Sequence, residues 1–120
     1  MPTIAMALPI PPDKLDSWLT AMQELAGPRL EEYDASRRRA GVTSSKAWLQ
    51  QGPGGAMELL VIETDDPARM FAELGSSQEP FDVWFRGVIA DVYGLDLTQR
   101  PPGPLPEQML DWSAGVRVTP

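Results

Sequence analysis

The apolar residues near the start of the chain change their spacing, and this change fixes the order of the first elements. Residues 3 to 10 alternate, with every second residue from Ile4 to Ile10 on one face, as an extended strand requires. From Leu15 the apolar residues recur at steps of three and four, which is the spacing of one helix face. The sequence therefore predicts a strand followed by an amphipathic helix.

The helical spacing that begins at Leu15 continues to Ala40, but Gly27 and Pro28 interrupt it. Proline has no amide hydrogen and removes one helical hydrogen bond, so we expect a kink or a break into two helices here. Gly41 follows as a typical C-terminal cap.

Two extended runs, over residues 42 to 51 and 57 to 64, flank a glycine-rich stretch at residues 52 to 55. Such spacing is typical of a β-hairpin. The glycines also resemble a phosphate-binding loop, but the lysine and the following helix of that motif are missing. We therefore interpret the stretch as a turn.

The second half of the chain contains two further helical segments. The first has Asp66 as its N-cap, runs to Leu74 and is stopped by Gly75, and the second starts at Pro80 and is ended by Gly94. On the latter, Asp82 and Arg86 lie one turn apart and are predicted to pair on the surface. After a proline-rich connector, residues 107 to 112 are interpreted as a short last strand.

These elements follow one another as strand, helix, strand, strand, helix and strand. The predicted fold class is α+β, a ferredoxin-like βαββαβ antiparallel sheet with its helices on one face, because right-handed crossovers place them there. We assign residues 1 to 112 to this single domain, and residues 113 to 120 to a tail that is flexible or exchanged with a partner subunit.

Apolar residues occupy both faces of the predicted third strand, where Met57, Leu59 and Val61 alternate with Leu60 and Ile62. One layer of helices covers only one face. A second copy packed sheet to sheet would bury the other, so the sequence predicts a homodimeric α+β barrel. The alternative is that the apolar residues of one face are tolerated in solvent.

The composition excludes several kinds of site. The 120 residues include no cysteine and no histidine, which removes disulfides, thiolate nucleophiles and the usual ligands of zinc, iron–sulfur clusters and haem. We therefore expect neither a metal nor a cofactor. The formal net charge of −7 disfavours nucleic acid and an anionic membrane as partners. We expect a cytoplasmic protein, since the sequence shows no signal-peptide or membrane-span pattern.

Short clusters of charged and aromatic residues carry a family resemblance. They are Glu31-Glu32-Tyr33, Ser36-Arg37-Arg38-Arg39 with Gly41, Trp48-Leu49-Gln50-Gln51, Asp65-Asp66-Pro67, and Pro80-Phe81-Asp82 with Trp84-Phe85. Over about residues 1 to 112 the chain resembles the dimeric α+β barrel superfamily. More narrowly, it resembles a bacterial family of single-domain proteins distantly similar to antibiotic-biosynthesis monooxygenases. The narrow family implies no catalytic residues, and the histidine-dependent branches of the superfamily are excluded.

In folds of this kind small ligands lie between the sheet and its helices, so polar or aromatic residues on inward-facing stripes are candidates for binding them. Six residues meet this criterion: Tyr33, Arg37, Trp48, Gln50, Glu63 and Trp84. Arg37 could hold a carboxylate or enolate oxygen, and a buried Glu63 could act as a base. The alternatives are an arginine solvated at a helix end, tryptophans in the core or dimer interface, and an exposed glutamate.

Two functions fit these expectations. The first is a metal-free, cofactor-independent oxygenase, cyclase or isomerase that acts on a small acidic or enolisable substrate, with Arg37, Tyr33 or Gln50 stabilising negative charge. The second is a non-catalytic homodimeric binding or scaffold module. A cavity lined jointly by Tyr33, Arg37, Trp48 and Gln50 would favour the first.

Overall fold

The computed structural model describes residues 2–99 and 105–115. These residues form an α+β fold with a three-stranded sheet and four α-helices. In chain order the elements are β1 (Thr3–Ile10), α1 (Leu15–Ala26), α2 (Leu30–Arg39), β2 (Val42–Gly52), β3 (Gly55–Thr64), α3 (Pro67–Ser76) and α4 (Pro80–Tyr93), and a single 3-10 turn (Pro12–Lys14) precedes α1. The first three predicted strands, their hairpin and the helical segments are confirmed, although α3 continues past the predicted stop at Gly75 to Ser76.

The sheet is antiparallel, and β3 lies between β1 and β2. Both outer strands run opposite to β3, so they are parallel to each other, and α1 and α2 form the crossover that joins them. In the register, Ile62 of β3 lies opposite Ile4 of β1 and Ser45 of β2. Side chains at such paired positions share a face, which defines a helix-covered face and an open face.

The predicted last strand over residues 107 to 112 is not formed. Residues 105–115 are exposed, have no regular structure and pair with none of the three strands. A strand exists only through hydrogen bonds to a neighbour, and an apolar pattern alone does not supply them. Of the predicted tail, residues 113–115 are exposed, and residues 116 to 120 lie outside the described residues.

The predicted break at Gly27 and Pro28 is confirmed, because α1 ends at Ala26 and α2 begins at Leu30. The amide of Arg29 donates to the carbonyl of Glu24 at 2.9 Å and closes the intervening turn. The two short helices can therefore lean differently over the sheet, whereas a straight helix could not.

Glycines set the path of the chain after α4. Gly94 ends the helix in the left-handed conformation, with φ of 67°. The segment that follows lies against α3, where a Cβ on Gly75 would meet the carbonyl oxygen of Leu97 at 2.5 Å. Gly75 is thus required for the close approach of residues 95 to 99 to the helix layer.

The predicted surface pair between Asp82 and Arg86 is wrong. Asp82 is buried, with 3% of its surface exposed, and accepts hydrogen bonds from Ser36 and from Nη2 of Arg39 at 3.1 Å. Arg86 donates instead to the carbonyl of Leu74 at 2.8 Å. Helical spacing identifies neighbours on one helix, but it does not show that α2 packs over Asp82.

The apolar core on the helix-covered face consists of two separate clusters. The first contains Ile4, Ala40, Val42, Ile62 and Met70, and the second contains Ile10, Trp18 and Val92. A small domain usually has one contiguous core, so the division indicates that something other than packed side chains lies between the clusters. Throughout the described part of the chain, no helix is long and apolar enough to cross a bilayer.

Candidate functional site

A cavity of about 720 Å³ lies between the helix-covered face of the sheet and the helices. Both core clusters contribute to its walls, through Ile62 and Met70 on one side and Trp18 and Val92 on the other. Well-packed interiors contain few voids larger than a water molecule, whereas ligand pockets occupy about 300–1,000 Å³. The size of this cavity is therefore that of a binding pocket.

The walls of the cavity are mostly apolar and come from every layer of the fold. The sheet contributes Met6 and Leu60, the helices contribute Leu25 and Phe85, and the segment after α4 contributes Leu97. Such walls favour a ligand with a substantial apolar body. The few polar groups among them then decide which end of the ligand points where.

Arg37 is the positively charged side chain among the described residues that line this cavity. Its Nε and Nη2 atoms are buried and have no hydrogen-bond partner within residues 2–99 and 105–115. The guanidinium carbon lies 4.9 Å from the ring centre of Tyr33 and 4.6 Å from that of Phe85. Burial lowers the pKa of Arg37, while nearby Tyr33 and Asp82 oppose that shift. An arginine keeps its charge in proteins, so these two donors require an acceptor.

Tyr33 lies beside Arg37 in the cavity wall and is held by the sheet. Its hydroxyl donates to Oγ of Ser45 at 3.1 Å, which ties α2 to β2. The phenol oxygen can still accept a hydrogen bond. Tyr33, Ser45 and Arg37 together form a polar end of an otherwise apolar space, which we call the cationic end.

Glu58 forms a second polar end that the sequence-based selection missed. It is 5% exposed on the helix-covered face of β3, and its Oε1 accepts hydrogen bonds from Nε1 of Trp18 at 3.1 Å and from the Tyr93 hydroxyl. Burial, and then the bond to Glu58, raise the pKa of Tyr93. The strand spacing indicates that Glu58 faces inward, because it lies on the same face as Leu60 and Ile62. We call Glu58, Trp18 and Tyr93 the acidic end.

Three of the six predicted residues lie on the open face of the sheet, away from the cavity. The register pairs Trp48 with Leu59 and Gln50 with Met57, and Glu63 follows on the same face of β3. Gln50 and Glu63 are exposed, and Trp48 is 52% exposed. The condition that Tyr33, Arg37, Trp48 and Gln50 line one cavity together is therefore not met, since the strand alternation separates them.

Trp84 also lies outside the cavity. Its ring is 5.6 Å from that of Phe81, and the guanidinium of Arg29 lies 4.1 Å from its centre. The contact with Arg29 joins α4 to the N-cap residue of α2. Of the six predicted residues, Tyr33 and Arg37 line the cavity.

The polar groups at the two ends of the cavity can interact with a ligand through charge and hydrogen bonds. Arg37 can bind an oxyanion, and Glu58 can accept a further hydrogen bond or a positive charge. Among the residues that the structure describes, no cluster of three acidic side chains could hold a metal ion.

Comparisons of the chain with protein-family profiles, with curated proteins and with solved structures return no match. The resemblance to the dimeric α+β barrel superfamily therefore stays a prediction, and function is argued from the cavity.

Proposed function

We propose that this protein binds a small organic acid with an apolar body in the cavity between sheet and helices. The observation that carries the proposal is Arg37, whose Nε and Nη2 are buried without a partner in the wall of that cavity. Leaving a buried charged donor unsatisfied is costly, and a carboxylate or enolate oxygen would satisfy it. The lipophilic walls would hold the remainder of the ligand.

Bound in this way, an enolisable acid could be transformed without metal or cofactor. Arg37 would stabilise the developing enolate oxygen, with the Tyr33 phenol beside it, and the proton that leaves the carbon would pass to water or hydroxide from solvent. This supports a cofactor-independent oxygenase, cyclase or isomerase. Gln50, the third donor considered from sequence, takes no part because it lies on the open face.

Binding is tested by isothermal titration calorimetry with decanoate. We expect the substitution R37Q to weaken binding about tenfold or more, which is the worth of a hydrogen bond to a charged group. R38Q is the matched control, because Arg38 is the next residue of α2 and its exposed side chain pairs with Asp34 at 2.9 Å. The proposal would be contradicted if R37Q lowered the melting temperature as well as weakening binding, or if decanoate did not bind the wild type.

Catalysis is tested separately from binding, with a β-keto derivative of decanoate in heavy water. A site that stabilises the enolate would accelerate exchange of the acidic carbon-bound protons with solvent, as followed by NMR, and R37Q would lose the acceleration. If the wild type binds this compound and does not accelerate exchange, the alternative of a non-catalytic binding module is favoured.

A homodimer is the assembly that the open face supports. Trp48, Leu59 and Val61 lie next to one another there, with Trp48 52% exposed. A second copy packed on this face would bury them and form the predicted α+β barrel, in which a fourth strand could complete each βαββαβ sheet. Light scattering should give twice the chain mass at micromolar concentration, and W48E should give a monomer. A monomeric wild type would exclude the barrel.

A further inference from the structure

Glu58 is a buried carboxylate that has no counter-charge among the described residues. It is 5% exposed, and none of the ion pairs in the described ranges involves it. Buried carboxylates in proteins are normally paired with a cation or saturated with hydrogen bonds. Glu58 therefore requires a further partner or complete saturation by its neighbours.

The neighbours of Glu58 satisfy only one of its two oxygens. Trp18 and Tyr93 both donate to Oε1, while Oε2 accepts no hydrogen bond from any residue that the structure describes. Trp18 can only donate, and burial together with Glu58 raises the pKa of Tyr93, so its phenol remains a donor at neutral pH. Both neighbours thus fix the orientation of the carboxylate and leave Oε2 available.

The acidic end and the cationic end lie at a defined separation along the sheet. Ser45, which holds Tyr33, pairs with Ile62, and Leu49 pairs with Glu58. These pairs are four residue steps apart, which corresponds to about 13 Å along the strand backbone. Leu60 and other apolar side chains line the cavity between the two ends.

We infer that the cavity recognises both ends of an elongated ligand, an acid at Arg37 and a protonated amine at Glu58. This inference rests on the proposed function, in which Arg37 holds the acid. A protonated amine supplies both the positive charge and the hydrogen bond that Oε2 lacks, and the apolar wall accommodates a hydrocarbon body between them. Glu58 is then the residue that selects this ligand class over simple fatty acids.

The inference is tested by titrating the full-length wild type with decanoate and with ω-aminodecanoate. We expect the amino acid to bind about tenfold or more tightly than the simple acid, because a hydrogen bond to a charged group is worth that much. E58Q, which keeps the shape and the acceptor for Trp18 and Tyr93, should abolish this preference. E63Q is the matched control, since Glu63 lies on the opposite face of the same strand.

The outcomes separate this inference from the proposed function. If R37Q weakens decanoate binding but the wild type shows no preference for the amine, or E58Q retains it, the selection by Glu58 is overturned and the acid site stands. If neither compound binds the wild type, both fall. Should E58Q not fold, the wild type alone still tests the inference: tighter binding of ω-aminodecanoate than of decanoate supports selection by Glu58, and equal binding overturns it.

Discussion

Ser36 and Arg37 are adjacent on α2, yet they contact polar environments of opposite kinds. The hydroxyl of Ser36, itself 1% exposed, donates to Asp82, which also accepts from Ser77 and from Arg39. We call these four residues the closed cluster. Arg37 points into the cavity, where two of its donors have no partner. The carboxylate and the two hydroxyls of the cluster are all hydrogen-bonded within it, and of its described atoms Nε of Arg39 is buried without a partner, whereas at Arg37 both Nε and Nη2 lack one.

This difference assigns separate roles to the two regions. Burial on its own raises the pKa of Asp82, but hydrogen bonds from Ser36, Ser77 and Arg39 outweigh it, so that the pKa is lowered. The carboxylate is thus stabilised in its charged form and joins α2 to the start of α4. At Arg37, burial lowers the pKa although Tyr33 and Asp82 oppose that shift, and Nε and Nη2 have no hydrogen-bond partner among the described residues. Interactions that the fold completes contribute stability, and those it leaves incomplete are available to a ligand.

The largest effect is expected from removing the carboxylate of the closed cluster. D82A should lower the free energy of unfolding by about 3 kcal/mol, because it leaves Arg39, the buried Ser36 hydroxyl and the half-buried Ser77 hydroxyl without their shared acceptor. Chemical denaturation followed by circular dichroism measures this change. D34A is the control, since Asp34 pairs with Arg38 on the exposed side of α2. This substitution should have little effect on the free energy of unfolding. Equal effects of the two substitutions would refute the distinction.

Acid should remove part of the same stabilisation, and therefore less than D82A removes. The pKa of Asp82 in the folded protein lies below its ordinary value of 3.8, so the unfolded chain binds the proton more readily. The contribution is full above about pH 4 and is lost as the pH falls through the folded pKa. Thermal melts from neutral to acid pH should show a smaller loss in D82N than in the wild type. Identical profiles would show that Asp82 does not couple folding to protonation.

The strands and helices could be predicted from sequence because their signals are local. Alternation from Ile4 to Ile10, the glycine-rich hairpin turn and the break at Pro28 all depend on neighbours in the chain. The last strand could not be predicted in this way. Residues 107 to 112 have a suitable pattern, but a strand also needs an edge to pair with, and residues 105–115 pair with none of the three strands.

The candidate site was predictable only where one element determines it. Tyr33 and Arg37 share a helix stripe, and both line the cavity. Trp48 and Gln50 were assigned to the same cavity, although the register places them on the open face. The hydrogen bonds of Glu58 could not be predicted, because its partners Trp18 and Tyr93 approach it from α1 and α4. Such long-range convergence is not visible in residue spacing.

The smallest effects, and the sharpest contrast, are expected from the adjacent positions on α2. S36A should destabilise the protein by about 1.5 kcal/mol, because a hydrogen bond to a buried carboxylate is lost. R37M should instead stabilise the ligand-free protein by about 1 kcal/mol, since an apolar chain of similar length replaces an unsatisfied buried cation. Both changes are measured by denaturation of ligand-free protein. If R37M destabilises the protein to the same degree as S36A, then the charge of Arg37 contributes to folding. The burial of Arg37 would then be explained without a ligand.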